Sequence, residues 1–407
     1  MNKEHKNRLG LNKNIFYIGL TSFFTDTSTK MVYSVMPLFL LSIGASKSVI
    51  SLIEGIAEST ASLLKFISGF WSDKIGRSKP FMIIGYGITA IVTPLYALAK
   101  IPFHILALRF TEKVGKGLRT APRDKLIGDS VGKKDTGKNF GFHKAMDNSG
   151  AIIGPLLAAL LLIAFPHNYR LIFIWAAIPA FIGVITIIFL IKDTRRPVEK
   201  ENNKFKINQL PRRFYIFIFI VFIFTLGNST DALLLVKSSE VGVKDAWVPF
   251  IYMLFNTVSV IFSLPIGILS DKIGREKLIF AGFMVYALTY LFFGLSSKAI
   301  VLILLFIPYG FYSALSDTSQ KAFISDIVGK DLKGTAFGIY HAVLGITLLP
   351  ASLIAGKLYD SIGNGAPFYF GAAMAFMASL LMLIFIFTKN HQKNKKIVTL
   401  EQNFEYE

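Results

Sequence analysis

Apolar runs of about 20 residues, each long enough to cross a bilayer as a helix, recur twelve times along this chain, separated by short polar turns. They lie near 14–42, 48–71, 80–99, 102–128, 138–164, 168–191, 214–237, 245–269, 278–296, 299–323, 334–358 and 366–388. The pattern predicts an all-α polytopic membrane protein with twelve transmembrane helices. The longest polar interruption runs from Lys192 to Arg213 and is rich in Lys and Arg, as expected of a loop joining two units. It divides the chain into an N-terminal six-helix bundle (1–191), a linker (192–213), a C-terminal six-helix bundle (214–390) and a polar tail (391–407). The first run follows a basic start and contains Asp26 and Lys30, which makes it a poor secretory signal and a retained helix.

Composition supports the same class. Of 407 residues 53% are hydrophobic and 38 are Phe, too apolar for a water-soluble fold. The formal net charge of +19 would suggest nucleic acid in a soluble protein, but most Lys and Arg sit in loops and tails on one side of the predicted bilayer. That asymmetry places both termini in the cytoplasm, and no nucleic-acid partner is expected. The absence of Cys excludes disulfides and thiolate metal sites. No cofactor, metal site or enzymatic motif is expected.

Polar residues inside the runs carry the candidate chemistry, because a charge at mid-membrane costs about 2.5–3.5 kcal/mol on insertion scales and normally faces a bundle interior or a wet cavity. In the first span Ser22, Asp26 and Lys30 share one face, and an Asp26–Lys30 ion pair is the economical arrangement. In the second, Glu54, Glu58 and Lys65 share a face, with Glu58 near mid-depth as a proton-coupling carboxylate or as the partner of Lys65 or of a base on the fourth span. The fourth span is the most unusual: Arg109, Glu112, Lys113, Lys116, Arg119, Arg123 and Asp124 fall on one side, opposite Phe110, Val114, Leu118 and Ala121. Gly115, Gly117 and Pro122 are expected to unwind or kink it. Arg119, Arg123 and Asp124 read either as part of that stripe or as an ion-pair network at the cytoplasmic end.

The fifth span contributes His143, Asp147 as a proton-coupling candidate, and Gly150-Ala-Ile-Ile-Gly154-Pro155, small residues that let helices approach closely. In the second half, Asn228-Ser-Thr-Asp231 and Asp317 suggest polar solute contacts, with Tyr309, Tyr312 and Tyr340 as walls and His341 as a site residue or a packed one.

The chain also repeats itself. Gly69-Phe-Trp-Ser-Asp73-Lys-Ile-Gly-Arg77 recurs as Gly267-Ile-Leu-Ser-Asp271-Lys-Ile-Gly-Arg275, and Asp129, Gly132, Lys133, Gly137, Phe140 and Gly141 correspond to Asp326, Gly329, Lys330, Gly334, Phe337 and Gly338. This is a parallel duplication of a six-helix unit.

The pattern G-x-x-x-D-K-x-G-R resembles the signature loop of major facilitator superfamily transporters. That resemblance implies two pseudo-symmetric six-helix bundles, with Asp73, Arg77, Asp271 and Arg275 locking one state of the cycle and Gly69 and Gly267 opening the motif. Arg119, Arg123 and Asp124 join them as gate candidates. Arg109 is similar to a family Arg implicated in proton transfer, although the R-x-x-Q-G spacing is absent. Gly150, Gly154 and Pro155 resemble the superfamily's antiporter motif, with Ala158 and Ala159 in place of its final glycines. The runs Glu54–Lys65 and Gly115–Asp124 look like a prokaryotic branch of drug-exporter-like and siderophore-carrier-like proteins, in which Lys30 replaces a customary Glu.

These observations together predict a secondary transporter working by alternating access as a functional monomer, driven by protons through Asp26, Glu58, Arg109 or Asp147. Bases outnumber acids in the spans, which favours an anionic solute of polycarboxylate or siderophore type. Its expected contacts are Asp26, Lys30, Arg109, Lys113, Lys116, Asn228, Asp231, Tyr312, Asp317 and His341. The alternatives are a proton-coupled multidrug exporter and, from another class, a non-transporting membrane receptor.

Overall fold

The computed structural model describes residues 13–75, 77–129, 136–193, 209–228, 230–329 and 332–404, apart from the side chains of 66–67, 69–75, 129, 136–138, 140, 317–318 and 389–404. These residues form helices and no strands. The N-terminal half comprises α1 (Lys13–Ser42), α2 (Lys47–Ile75), α3 (Lys79–Leu95), α4 (Pro102–Asp129), α5 (Thr136–Ala164) and α6 (Tyr169–Leu190). The C-terminal half comprises α7 (Arg212–Gly227), α8 (Asp231–Glu240), α9 (Val248–Ile273), α10 (Arg275–Leu295), α11 (Ala299–Ile327), α12 (Lys333–Ser361) and α13 (Ala366–Phe404). With α7 and α8 forming one broken span, these are twelve crossings in two six-helix bundles.

Among the described residues, nine spans are long and apolar enough to cross a membrane by composition alone. The remaining three, α1, α2 and α4, are those that carry Asp26 and Lys30, Glu54 and Glu58, and the basic stripe. Large apolar side chains such as Phe189, Leu264 and Leu98 stand exposed around the bundle. That surface is stable only against lipid.

Two expectations about local structure are corrected. The seventh span is not continuous: α7 stops at Gly227, Asn228 N–H turns back to the carbonyls of Phe224 and Thr225, and Thr230 Oγ1 caps α8 by accepting from Ala232 N–H at 3.2 Å. The fourth span, by contrast, neither unwinds nor breaks. Its glycines serve close approach: a Cβ on Gly115 would lie 2.7 Å from the Gly85 carbonyl on α3, and one on Gly117 would lie 2.5 Å from Leu64 Cβ on α2. The expected tail from 391 continues α13 as helix to Phe404.

The halves meet where α2 packs along α12, α5 along α9, and α8 against α1 and α2. The α2–α12 seam is built of small residues whose hydroxyls cross it. Ser51 Oγ donates to the Ser352 carbonyl at 2.6 Å, and Ser59 Oγ to the Gly345 carbonyl at 2.5 Å. On the face opposite the termini the halves are tied by charge. Asp360 at the end of α12 accepts from Lys47 N–H (3.3 Å) and Ser48 N–H (2.8 Å), so a carboxylate of one half caps a helix of the other. Lys47 Nζ pairs with Glu240 at 3.1 Å, Tyr359 donates to Glu240 at 2.7 Å, and Tyr169 and His167 contact Asp245. Among the described residues, these far-face contacts are the polar ties that hold the two halves together at one end of the bundle.

Asp360→Ala removes a cap worth about 1 kcal/mol and is expected to loosen that far face. The natural absence of Cys makes the measurement direct: Thr29→Cys in the cavity should label faster with an impermeant maleimide from the far side in the Asp360→Ala background. Equal rates would show that the cap does not hold the closure.

Candidate functional site

A cavity of about 380 Å³ lies between the halves at mid-depth. Its N-terminal wall is α1, α2 and α4, and its C-terminal wall is the break between α7 and α8 with Tyr252 of α9 and Leu348 of α12. The amphipathic stripe of α4 faces this space because its opposite side, including the half-exposed Phe110, faces outward.

Among the described residues, four of the nine charges lining it, Arg109, Glu112, Lys113 and Glu58, are held in ion pairs. Arg109 is 1% exposed and sits between two carboxylates: Nε donates to Glu54 Oε1 at 2.9 Å, Nη2 bonds Glu54 Oε2, and Nη1 donates to Glu112 Oε2 at 2.9 Å. Tyr96 completes the group by donating to Glu112 at 2.7 Å, and the guanidinium carbon lies 5.5 Å from the Tyr33 ring centre. One turn along α4, Lys113 Nζ donates to Glu58 Oε1 at 2.5 Å. Thus the base on the fourth span, rather than Lys65, holds Glu58.

The economical Asp26–Lys30 pair does not form. Lys30 Nζ instead reaches across the cavity to Tyr252 OH at 2.7 Å, lying 5.0 Å and 5.7 Å from the ring centres of Tyr252 and Tyr33. Among the described residues Asp26 has no base within ion-pairing distance, and Lys116 and Arg119 have no carboxylate. Arg119 is nevertheless buried and satisfied by neutral groups, donating to Thr89 Oγ1 at 2.5 Å and to the Gly85 carbonyl at 3.2 Å, with its plane over Tyr86 at 4.3 Å. In the opposite wall, Tyr309 OH donates to Asp231 at 2.5 Å, and Asn228 bonds Tyr312 and Tyr286 at 3.3 Å each.

The remaining sequence candidates fall elsewhere. Arg123 bonds Asp124 at 2.9 Å and approaches Asp147 at 3.9 Å, an ion cluster toward the terminal end of α4. Beside it His143 Nε2 meets Ser22 Oγ at 2.8 Å, so the Ser22 end of the α1 stripe is spent on α5. Tyr312 is buried behind Asn228 rather than on the cavity surface, and His341 packs edge-on against Tyr340 outside the cavity. The Asp317 side chain, Ser229, and the Gly69 and Asp73 side chains lie outside the described residues. Arg77 is exposed. Its repeat counterpart Arg275 bonds Asp271 at 3.2 Å and pairs with Asp326, while Gly274 (φ 95°) makes the turn that only glycine takes readily.

Gly150 and Gly154 carry α5 onto the back of α1. A Cβ there would lie 2.5 Å from the Phe23 carbonyl or 2.4 Å from the Thr27 carbonyl, while Pro155 lies within the helix. Sequence reasoning missed Tyr33, Thr29 and Tyr252 as lining residues. Tyr33 was legible, standing one turn beyond Lys30 on the same stripe. Tyr252 had no local signal, since only the meeting of the halves brings it opposite Lys30.

The bookkeeping of charge changes as well. Among the described residues the lining carries five bases (Lys30, Arg109, Lys113, Lys116, Arg119) against four acids (Asp26, Glu58, Glu112, Asp231), and Glu54 behind Arg109 brings that balance to zero. The cationic surplus counted along the spans therefore does not survive as a surplus in the cavity. It survives, among the described residues, as three bases without carboxylate partners: Lys116, Arg119 and Lys30, the last bonded to the Tyr252 hydroxyl.

Two six-helix bundles around a polar mid-membrane cavity, fastened on one face, define a polytopic membrane transporter. The Major Facilitator Superfamily profile matches residues 18–244 and 216–403, and the chain belongs to that superfamily. An uncharacterized MFS-type transporter of Methanocaldococcus jannaschii is 35% identical over 393 residues, 94% of this chain and 97% of that protein. Quinolone resistance protein NorA of Staphylococcus aureus is 24% identical over 408 residues, 95% of this chain and 99% of that one. In fold, the chain is similar to a POT family transporter solved with 5-aminolevulinic acid (TM-score 0.81, 12% identity, 93% and 97% of the two chains). It is also similar to the nucleoside transporter NupG (TM-score 0.72, 14% identity, 92% and 98%). These family and structural neighbours are transporters.

Proposed function

We propose that this transporter is a proton-driven carrier of a small organic solute bearing a carboxylate, moved across a bacterial inner membrane by alternating access. One observation carries the solute class: Lys116 and Arg119 line the cavity with no carboxylate within ion-pairing distance among the described residues. Desolvated bases of this kind gain most from an incoming carboxylate, Arg119 through its planar fork and Lys116 as a point charge. The polycarboxylate or siderophore reading narrows accordingly, because the other cavity bases are committed to Glu54, Glu112, Glu58 and Tyr252.

The moving bodies are residues 1–191 and 214–390, joined by the linker 192–213 and followed by the tail from 391, with the chain acting as a monomer. Positive-inside bias puts the terminal face in the cytoplasm, so the far-face closure describes an inward-facing state. Asp26 is the favoured proton carrier, since it lines the cavity without a fixed base, whereas Glu58 and Arg109 are held in pairs. Asp147, beside Arg123, is a second candidate on the cytoplasmic side.

Counterflow in proteoliposomes with the full-length protein tests this reading. Mono- and dicarboxylates should compete, a proton gradient should accumulate them, and Lys116→Ala should weaken binding more than roughly tenfold, the equivalent of about 1.4 kcal/mol. An unchanged affinity in that variant, or competition by organic cations and neutral hydrophobics alone, would sink the solute class. A second reading, drug export, is favoured by the similarity to NorA; resistance profiling of an overexpressing strain separates the two.

A further inference from the structure

The proposed carboxylate seat explains one wall of the cavity and leaves the other unexplained. Among the described residues the C-terminal wall contributes a single charged group, Asp231, held by Tyr309 at the mouth of the broken span. Beside it stand Tyr252 and, from α1, Tyr33. Aromatic faces next to a carboxylate attract cations, and a cation is already there. The Lys30 ammonium, tethered to the N-terminal half, spans the gap, bonds Tyr252 OH at 2.7 Å and lies against both rings. Its closest sequence-level partner is Asp26, one turn away on the same face of α1 and correctly ordered for an acid-to-base pair at four-residue spacing. Lys30 reaches to the aromatic seat instead.

Building on the carboxylate seat above, we propose that the solute is amphoteric. Its carboxylate rests on Lys116 and Arg119, and its ammonium enters the Tyr33–Tyr252–Asp231 seat, displacing Lys30 toward Asp26. Such a solute bridges the two halves, so its binding energy is available to draw them together. A monoacid reaches one wall and leaves Lys30 where it is. Lys30 is then a competitor for the solute's amine rather than an anion ligand, and this distinguishes the arrangement from a purely anionic site.

The test is equilibrium binding to the purified full-length protein in nanodiscs, read by thermal shift. The probes are the ω-amino acids from 4-aminobutanoate to 8-aminooctanoate, with hexanoate, hexylamine and adipate as controls. At least one ω-amino acid should bind roughly tenfold tighter than any control, equivalent to about 1.4 kcal/mol. Asp231→Asn should erase that advantage, and Lys30→Gln should strengthen the ω-amino acids relative to hexanoate. Adipate or hexanoate binding as tightly as the best ω-amino acid, a Lys30→Gln variant that loses the ω-amino acids, or a flat response to every probe overturns the proposal. Binding in the expected order without flux in proteoliposomes would remove the carrier reading and leave this one standing.

Discussion

Arg109→Ala is expected to cost about 3–5 kcal/mol of stability, the range seen when one member of a buried ion pair is removed. The reason is what remains rather than what is lost. Glu54 and Glu112 converge on the guanidinium from α2 and from α4 itself, and all three side chains are almost fully shielded. Without Arg109, two carboxylates face each other in a low-dielectric interior with Tyr96 as the remaining donor to one of them. Thermal unfolding in detergent measures the loss. The triple replacement Glu54→Leu, Arg109→Met, Glu112→Leu should recover much of it, because an apolar set of similar volume carries no uncompensated charge. A single variant as stable as the parent would mean that the triad is solvated and that the cavity floor is not sealed there. The triad also fixes the roll of α4, so proton movement through Arg109 would require breaking three bonds in one step.

Gly154→Val is expected to impair the protein by a different route. Even a Cβ at this position would lie 2.4 Å from the Thr27 carbonyl and 3.0 Å from Lys30 Cβ, so the α1 backbone must move. Overpacking of this kind costs about 1–3 kcal/mol, and the displaced helix carries Asp26, Lys30 and Tyr33 into the cavity. Flux should fall more steeply than stability. Gly141→Val on the same helix, where none of the described residues lies within 4 Å of an added Cβ, serves as the control and should leave unfolding unchanged. Equal behaviour of the two variants would show that α1 tolerates the shift.

The two cases show different degrees of legibility. The small-residue run on the fifth span was visible as a close-packing motif, though its partner helix was not. The basic stripe of the fourth span was visible as a wet face, yet the character of that face was misjudged. Arg109 and Lys113 each meet an acid 55 residues away on α2; a fourth-span base was one of the partners open to Glu58, but no local spacing singles out Lys113 or announces the Glu54–Arg109 pair. The Asp26–Lys30 spacing did announce one, and it does not form, because Tyr252 from the other half offers Lys30 both a hydroxyl and an aromatic face. The break after Gly227 was hidden for a similar reason. A polar tetrapeptide within an apolar run is compatible with a continuous helix until the Thr230 cap and the cavity beside it give the freed backbone groups partners.

What the sequence by itself determined is everything that depends on the cost of polar groups in lipid: twelve spans, an even number of crossings, a duplicated unit, and three helices too charged to face hydrocarbon. Those properties are sums over neighbouring residues, and hydrophobic burial and backbone satisfaction act locally along a span. The tertiary structure alone decided which charges cancel and which stay available, since ion pairing falls off within a few ångströms and its partners come from different helices. Five bases and five acids meet around one cavity, and only their placement in space leaves Lys30, Lys116, Arg119 and Asp26 without an oppositely charged partner among the described residues.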